Sequence, residues 1–216
     1  MWCIGQMDEE YVQRMHYLLD LYAEPYNPQR PVICFDEKSK QLIDQVKKPI
    51  IGKVICEDYN YKRNGTRNIF MAVEPKGGKR LIQVTDQRRK TDFARFIRRL
   101  VDEEYPYAQM IRIVLDNLNT HNESSFYETF DKAEAQRILS RLQFHYTPKH
   151  ASWLNMAEIE IGIMDRQAIK GRIPDERTLK RRIAVWQGLR NSNRTGIRWT
   201  FTKQKADEKL SKHYIP

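Results

Sequence analysis

Two short apolar runs in this sequence each end in an aspartate. PVICFD (31–36) closes on Asp36, and MIRIVLD (110–116) closes on Asp116. Runs of this length and composition read as buried strands. In open α/β sheets, ligands gather at the carboxyl ends of the parallel strands. Parallel neighbours would therefore bring both acids to one edge. A third acid is available from the helix expected after Ser152, which offers Glu158 and Glu160. Two positions apart on a helix point in different directions, so only one of them can face such a site. Asn155, Glu158, Gly162 and Asp165 form one stripe, and Leu154, Ala157 and Ile161 form an adjacent apolar one. Glu158 stands at the border between core and cleft, which suits a site residue better than Glu160.

Three clustered carboxylates with no cation raise one another's pKa. A divalent ion removes that cost, and an oxygen-only donor set favours Mg²⁺ or Mn²⁺. Two such ions close together would activate a water and stabilise the leaving oxygen of a phosphodiester. The pattern thus points to phosphoryl transfer on nucleic acid. The plain alternative is that the strand-end acids are turn residues and the helix glutamates are solvated.

Other polar residues also have two readings. DNLNTH (116–121) fits an Asx-rich turn with His121 exposed, or a loop that places Asn117 and His121 near the scissile phosphate. Lys149 and His150 precede the Glu158 helix and are candidates for phosphate contact. Trp153 is either a core anchor or a base-stacking platform. Asn155 joins the candidate DNA contacts through its place on the Glu158 stripe. Cys34, inside an apolar strand, is expected to be buried and inert. His145 is expected to be a satisfied core histidine.

These residues need a scaffold. Residues 8–23 have helical spacing at Tyr11, Met15, Leu18, Leu19 and Tyr22, and EPYNPQRP (24–31) follows as a connector. Residues 51–62 read as an irregular strand, and Asn64-Gly65 as a turn. RNIFMAVEP (67–75) and KRLIQVTD (79–86) read as a hairpin. Thr91 or Asp92 would cap a helix to Glu104, with Phe93, Phe96, Ile97 and Leu100 on one face. One helix is expected over 123–142 and a strand over 144–148. A helix capped by Ser152 should run to 170, with another over 175–190. Trp199, Phe201 and Leu210 should dock the last segment. The fold class is α/β: a mixed sheet with helices on both faces and a basic helical C-terminal extension. The expected parts are a helix and linker (1–30), a catalytic domain (31–170), and the extension (171–216) packed on it.

Composition narrows the partner. The 216 residues carry a net charge of +10, yet 161–216 hold 14 basic and 5 acidic side chains, so nearly all the surplus lies there. Arg181 and Arg182 sit in that region. A basic tail on a near-neutral body suits a polyanion, most simply nucleic acid. The plain reading is a solvated basic helix surface. There is no apolar run of 18 residues and no secretory h-region at the N-terminus, so no membrane partner is expected. Cys3, Cys34 and Cys56 make neither a disulfide framework nor a zinc site, which suits a reduced, cytoplasmic compartment.

Taken in order, CFDEKSKQL (34–42), VLDNLNTH (114–121) and HYTPKHASWLNMAEIEI (145–161) resemble the catalytic core of a DDE transposase. The likeness is to the bacterial insertion-sequence branch of the mariner superfamily. Flanking segments agree: YKRNGTRNIFMAVEP (61–75), RRKTDFARFI (88–97), RIPDERTL (172–179), and the late Trp199, Phe201, Thr202, Lys209 and Leu210. The resemblance runs over essentially the whole chain. It implies an RNase H-like fold whose first and fourth strands carry the aspartates. It implies that Asp36, Asp116 and Glu158 bind two Mg²⁺ or Mn²⁺ ions, Glu158 because it follows SWLNMA directly. It implies hydrolysis at transposon ends, then attack of the freed 3′-hydroxyl on double-stranded target DNA. The enzyme is expected to act as a homo-oligomer on DNA at the bacterial nucleoid.

Members of that family carry an N-terminal helix-turn-helix region, and only about 30 residues precede the first strand here. The expectation is a catalytic half, with end recognition left to a separate helix-turn-helix polypeptide or lost. Two other readings stand beside it: a nuclease on the same fold, and a non-catalytic DNA-binding remnant.

Overall fold

The computed structural model describes residues 5–46, 50–51, 55–56 and 59–215. Cys3 lies outside them. The first half comprises α1 (Glu9–Ala23), β1 (Val32–Gln45), the short β2 (Ile50–Ile51) and β3 (Ile55–Cys56), β4 (Tyr61–Glu74), β5 (Lys79–Thr85) and α2 (Lys90–Arg99). A π-helical turn, Leu100–Glu104, extends α2. Then come β6 (Ile111–Leu115), α3 (Ser124–Tyr127), α4 (Lys132–Leu139) and β7 (Leu142–Tyr146). A single 3₁₀ turn (Ser152–Leu154) leads into α5 (Met156–Gln167), followed by α6 (Glu176–Ser192) and α7 (Lys203–Leu210).

Five strands form one mixed sheet in the order β5-β4-β1-β6-β7. β4 is antiparallel to both β1 and β5, whereas β6 runs parallel to β1 and β7. Side chains alternate across the sheet. Ile33 and Phe35 of β1 join Phe70, Phe93, Phe96 and Phe126 in a core on the α2–α4 face. Cys34 joins Leu18, Tyr22, Val114, Ala157 and Leu210 on the other face. A third cluster ties Leu42, Ile69 and Met71 to Met164, Ile183 and Trp186 under α5 and α6. The expected helices on both faces are there.

Several boundaries differ from expectation for local reasons. β1 continues nine residues past Asp36, because β4 pairs with it as far as Gln45. Asn64-Gly65 is no turn. It lies inside β4, opposite the register shift between Gln41 and Ile43, and Gly65 has φ +89°. The glycine serves a β-bulge that lets the long ribbon twist. The expected helix 123–142 is two helices, because Asp131 starts a new one by accepting the Glu134 N–H at 2.9 Å. Arg89, not Thr91 or Asp92, holds the cap position of α2, and Asp92 accepts its N–H at 3.0 Å. Residues 203–210, expected only to dock, form α7 with Thr202 as its cap.

Cys34 is buried as expected, its sulfur 3.6 Å from the Tyr22 hydroxyl, and burial pushes its thiol up to about 11. His145 is 5% exposed and stacks on Tyr17 at 5.4 Å, with Nδ1 3.0 Å from the Tyr17 hydroxyl. It is only half satisfied, since its buried Nε2 has no hydrogen-bond partner. Burial, aided by the charge of Arg112, pushes its pKa down from 6.5 to about 4. Between those values the unfolded chain binds a proton that the native state refuses, so this contribution is present above pH 6.5 and lost as pH falls toward 4. We expect His145→Phe, which keeps a ring on Tyr17, to flatten the acid slope by about 1–2 kcal/mol. Thermal melts of both proteins from pH 7 to pH 4 check this; equal slopes would contradict it.

Candidate active site

β6 pairs with β1 only from Val32↔Arg112 to Cys34↔Val114. The same register, carried two residues on, sets Asp36 opposite Asp116. Here the parallel ladder ends: β1 runs on beside β4 alone, and the chain leaves β6. The two aspartates thus meet where a strand edge opens.

Asn155 brings the third acid. Its Nδ2 donates to the Phe35 carbonyl at 2.8 Å, and its Oδ1 accepts from the Ala157 N–H at 3.1 Å. It is therefore the N-cap of α5 and ties that helix to the residue just before Asp36. Ser152, the expected cap, sits in the preceding 3₁₀ turn. Further along, Asp165 pairs with Lys38 at 3.0 Å. The stripe Asn155–Glu158–Gly162–Asp165 accordingly lies along β1, with exposed Glu158 on the first turn. Leu154, Ala157 and Ile161 are buried beside it.

Glu160 points elsewhere. It is 0% exposed, and its Oε1 accepts from Arg80 Nε and Arg190 Nε, both at 2.7 Å, while Oε2 accepts from Arg190 Nη2 at 3.0 Å. Arg80 is itself buried and donates to the carbonyls of Gly78 and Thr195. This ion cluster clamps α5 and α6 to β5. The helix thus presents Glu158 outward and holds Glu160 in the core.

The electrostatics match a crowded acidic edge. Burial pushes Asp36 from 3.8 up to about 7, with the charges of Glu37, Glu158 and Asp116 acting in the same direction and the Glu37 N–H opposing them. Burial also acts to raise Asp116, but the hydrogen bond and charge of His121 outweigh it and hold that carboxyl below its ordinary value. His121 in turn loses charge stability to burial, yet the Asp116 and Glu37 carboxylates lift it to about 9. Lys38 and Lys40 follow Asp36 on the same face of β1, but Lys38 is committed to Asp165 and Lys40 to the carbonyls of Ile169 and Gly171. Among the described residues, no basic side chain pairs with Asp36 or Glu158.

That donor set fits a hard divalent cation: three carboxylates on one edge, two without a cationic partner, and one disfavoured as an anion. Among the described residues, no three such side chains already stand close enough to clasp an ion together. A cavity of about 340 Å³ opens by Val32, Glu74 and Arg112, at the opposite end of the central strands, and takes no part in this cluster.

The other expected site residues divide. Lys149 and His150 are exposed in the loop after β7, at the Asp116 edge. Asn117 is exposed and donates to the Thr147 carbonyl at 2.6 Å. Trp153 is 38% exposed and meets Phe201 edge-on at 5.5 Å, so it is no core anchor. Arg181 and Arg182 are exposed on α6. Two expectations of DNA contact are corrected. Asn155 is 1% and His121 2% exposed, and both bond inside the protein. Asn155 is consumed as a helix cap, and His121 lies between two carboxylates.

Glu37, with its side chain 5% exposed and 3.2 Å from His121, went unnoticed in the sequence. The available signal was alternation: in VICFDE, Glu37 shares the inward face of Ile33 and Phe35.

The family model described as "DDE superfamily endonuclease" matches residues 31–180. No curated protein matches. Among solved structures, the chain is similar to the pre-cleavage Mos1 transpososome (TM-score 0.60, 12% identity, covering 99% of this chain and 65% of that one). It is also similar to the Mos1 mariner paired-end complex with Mn (TM-score 0.58, 13% identity, 99% and 64%) and with Mg (0.59, 12%, 100% and 66%). The chain thus spans about 64–66% of the length of those chains. At such identities the likeness is one of fold, and it bears out the RNase H-like architecture. Given that fold and a family match that spans both aspartates and the α5 glutamate, the chain belongs to the DDE superfamily endonucleases.

Proposed function

We propose that this chain is the catalytic core of a DNA transposase, with Asp36, Asp116 and Glu158 as the acids that hold two Mg²⁺ or Mn²⁺ ions. The observation that carries the reading is the parallel register of β1 and β6, which runs to Cys34↔Val114 and so brings Asp36 and Asp116 level just beyond it, beside an α5 helix that Asn155 pins to the Phe35 carbonyl with Glu158 exposed on its first turn. Bound there, the ions would supply an activated water and charge neutralisation at the leaving oxygen. The protein's own part is to fix the three carboxylates from rigid elements. The exposed Lys149, His150, Asn117 and Trp153 flank them as contacts for the DNA backbone and bases, and Arg181 and Arg182 extend the basic surface along α6. We read 31–170 as the catalytic domain, 171–216 as the extension that carries that surface, and 1–30 as a helix and linker, with α1 and α7 packed in one core against β1 and α5. Among the described residues no helix is long and apolar enough to cross a membrane. We place the action on double-stranded DNA at the nucleoid, with a second copy on the same DNA.

Joining separates this reading from a nuclease on the same fold. With Mn²⁺, pre-cleaved ends bearing a free 3′-hydroxyl are expected to become covalently linked to a target plasmid. Cleavage without any joining would favour the nuclease, and binding without either would favour the DNA-binding remnant.

A further inference from the structure

A second set of polar contacts lies behind Asp116, on the face of the sheet opposite Glu158. Along β1, Asp36 follows the face of Cys34, toward α5, while Glu37 follows Phe35, toward α2 and α3. The His121 ring is wedged on that second face, 5.1 Å from the Phe35 ring and 4.9 Å from Phe93. Its Nδ1 is 2.6 Å from Asp116 Oδ1, and its Nε2 is 3.2 Å from Glu37 Oε2. The second contact is an ion pair off the line of a good hydrogen bond, since Oε2 counts no hydrogen-bond partner. Glu37 Oε1 faces Arg88 at 3.5 Å. Asp116 Oδ1 also accepts the Leu118 N–H at 3.2 Å. Both of these anchors fall on one oxygen of Asp116; among the described residues, Oδ2 has no such contact.

We propose that Glu37 and His121 are positioning residues: Glu37 fixes the His121 ring, which grips Asp116 Oδ1 and leaves Oδ2 turned to the Asp36–Glu158 side. The inference rests on the metal-binding reading of the three acids and adds the residues that preset one of them. An aspartate at a strand end rotates freely about two torsions, and a hydrogen bond on one oxygen removes that freedom before a ligand arrives. Outer partners of this kind are worth about 10- to 100-fold in metal affinity. Holding charged groups against the apolar surface of Phe35 and Phe93 is costly, and Glu37 meets Asp116 only through the His121 ring that lies between them.

The test is Mn²⁺ binding to the metal-free protein by titration calorimetry, with folding checked by circular dichroism and melting. The variants are Glu37→Gln, His121→Phe, His121→Gln and, as control, Asp36→Asn. Wild type is expected to bind and Asp36→Asn to lose binding. Glu37→Gln and His121→Phe should bind about 10- to 100-fold more weakly while folded, and His121→Gln, which keeps a donor for Oδ1, should recover part of the loss. If Glu37→Gln and His121→Phe bind within about twofold of wild type while Asp36→Asn does not bind, the positioning role is wrong and the three acids stand. If wild type binds no Mn²⁺, or Asp36→Asn binds as wild type does, the metal-binding reading itself fails. Should His121→Phe not fold, Glu37→Gln decides alone.

Discussion

Asn in place of Asp36 is expected to make the metal-free protein more stable and to abolish metal-dependent DNA cleavage. The stability effect follows from linkage. The Asp36 carboxyl ionises near 3.8 when exposed and near 7 in the folded chain, because it is buried beside Glu37, Glu158 and Asp116. Between those values the unfolded chain gives up a proton that the native state keeps. The folded state therefore loses stability as pH rises through that window, fully so above pH 7. Asn is neutral and of the same shape, so it removes the loss. Discounted for solvent reaching the edge, the gain is about 1–2 kcal/mol at pH 8 and near zero at pH 4. Activity should fall by about a thousandfold or more, since a carboxylate that holds an ion supports several kcal/mol of transition-state charge stabilisation. Melting at pH 4 and pH 8, with a nicking assay, reads both. A variant less stable at pH 8 than wild type would contradict the account of Asp36 as a group held against its own folding preference.

Removing Glu160 should do the opposite. Its carboxylate is the shared acceptor for Arg80 and Arg190, and both Glu160 and Arg80 have fully buried side chains. Glu160→Ala leaves a buried guanidinium without its counter-charge, which costs about 3–5 kcal/mol. Against a typical total of about 5–15 kcal/mol, that is enough to unfold much of the population at 37 °C. Glu158→Ala, on the exposed side of the same helix, should change stability by only about 0.5 kcal/mol and abolish cleavage. Urea denaturation at pH 7 separates the two glutamates where an activity assay alone cannot, because both variants would be inactive. If Glu160→Ala proves as stable as wild type, the buried cluster does not clamp α5 as described.

How much of this was legible in the residues depends on range. Asp36 and Asp116 could be found because each closes an apolar run, a local feature, and one topological rule places both at one edge. Glu158 could be told from Glu160 because the apolar stripe of Leu154, Ala157 and Ile161 fixes the phase of the helix. Asn64-Gly65 misled because the same two residues serve a turn or a bulge, and only the pairing of β4 with β1 chooses. His121 and Asn155 looked like surface polar residues because what buries them, Phe35 and Phe93 for one and the Phe35 carbonyl for the other, is far away in sequence. Glu37 hid behind its neighbour: a DE pair reads as one acidic patch until the strand sends the two side chains to opposite faces. Glu160 looked solvated for want of its partners at positions 80 and 190.

The central claim is that Asp36, Asp116 and Glu158 act together on DNA through a divalent ion. Asp116→Asn tests it most directly, because the variant keeps shape and leaves an oxygen for His121 Nδ1–H while removing the charge. Supercoiled plasmid is incubated with wild type and with the variant, in Mn²⁺ and in EDTA. The account predicts nicking by wild type in Mn²⁺ only, and none by Asp116→Asn although it still binds the DNA. Equal nicking by the two proteins would contradict it.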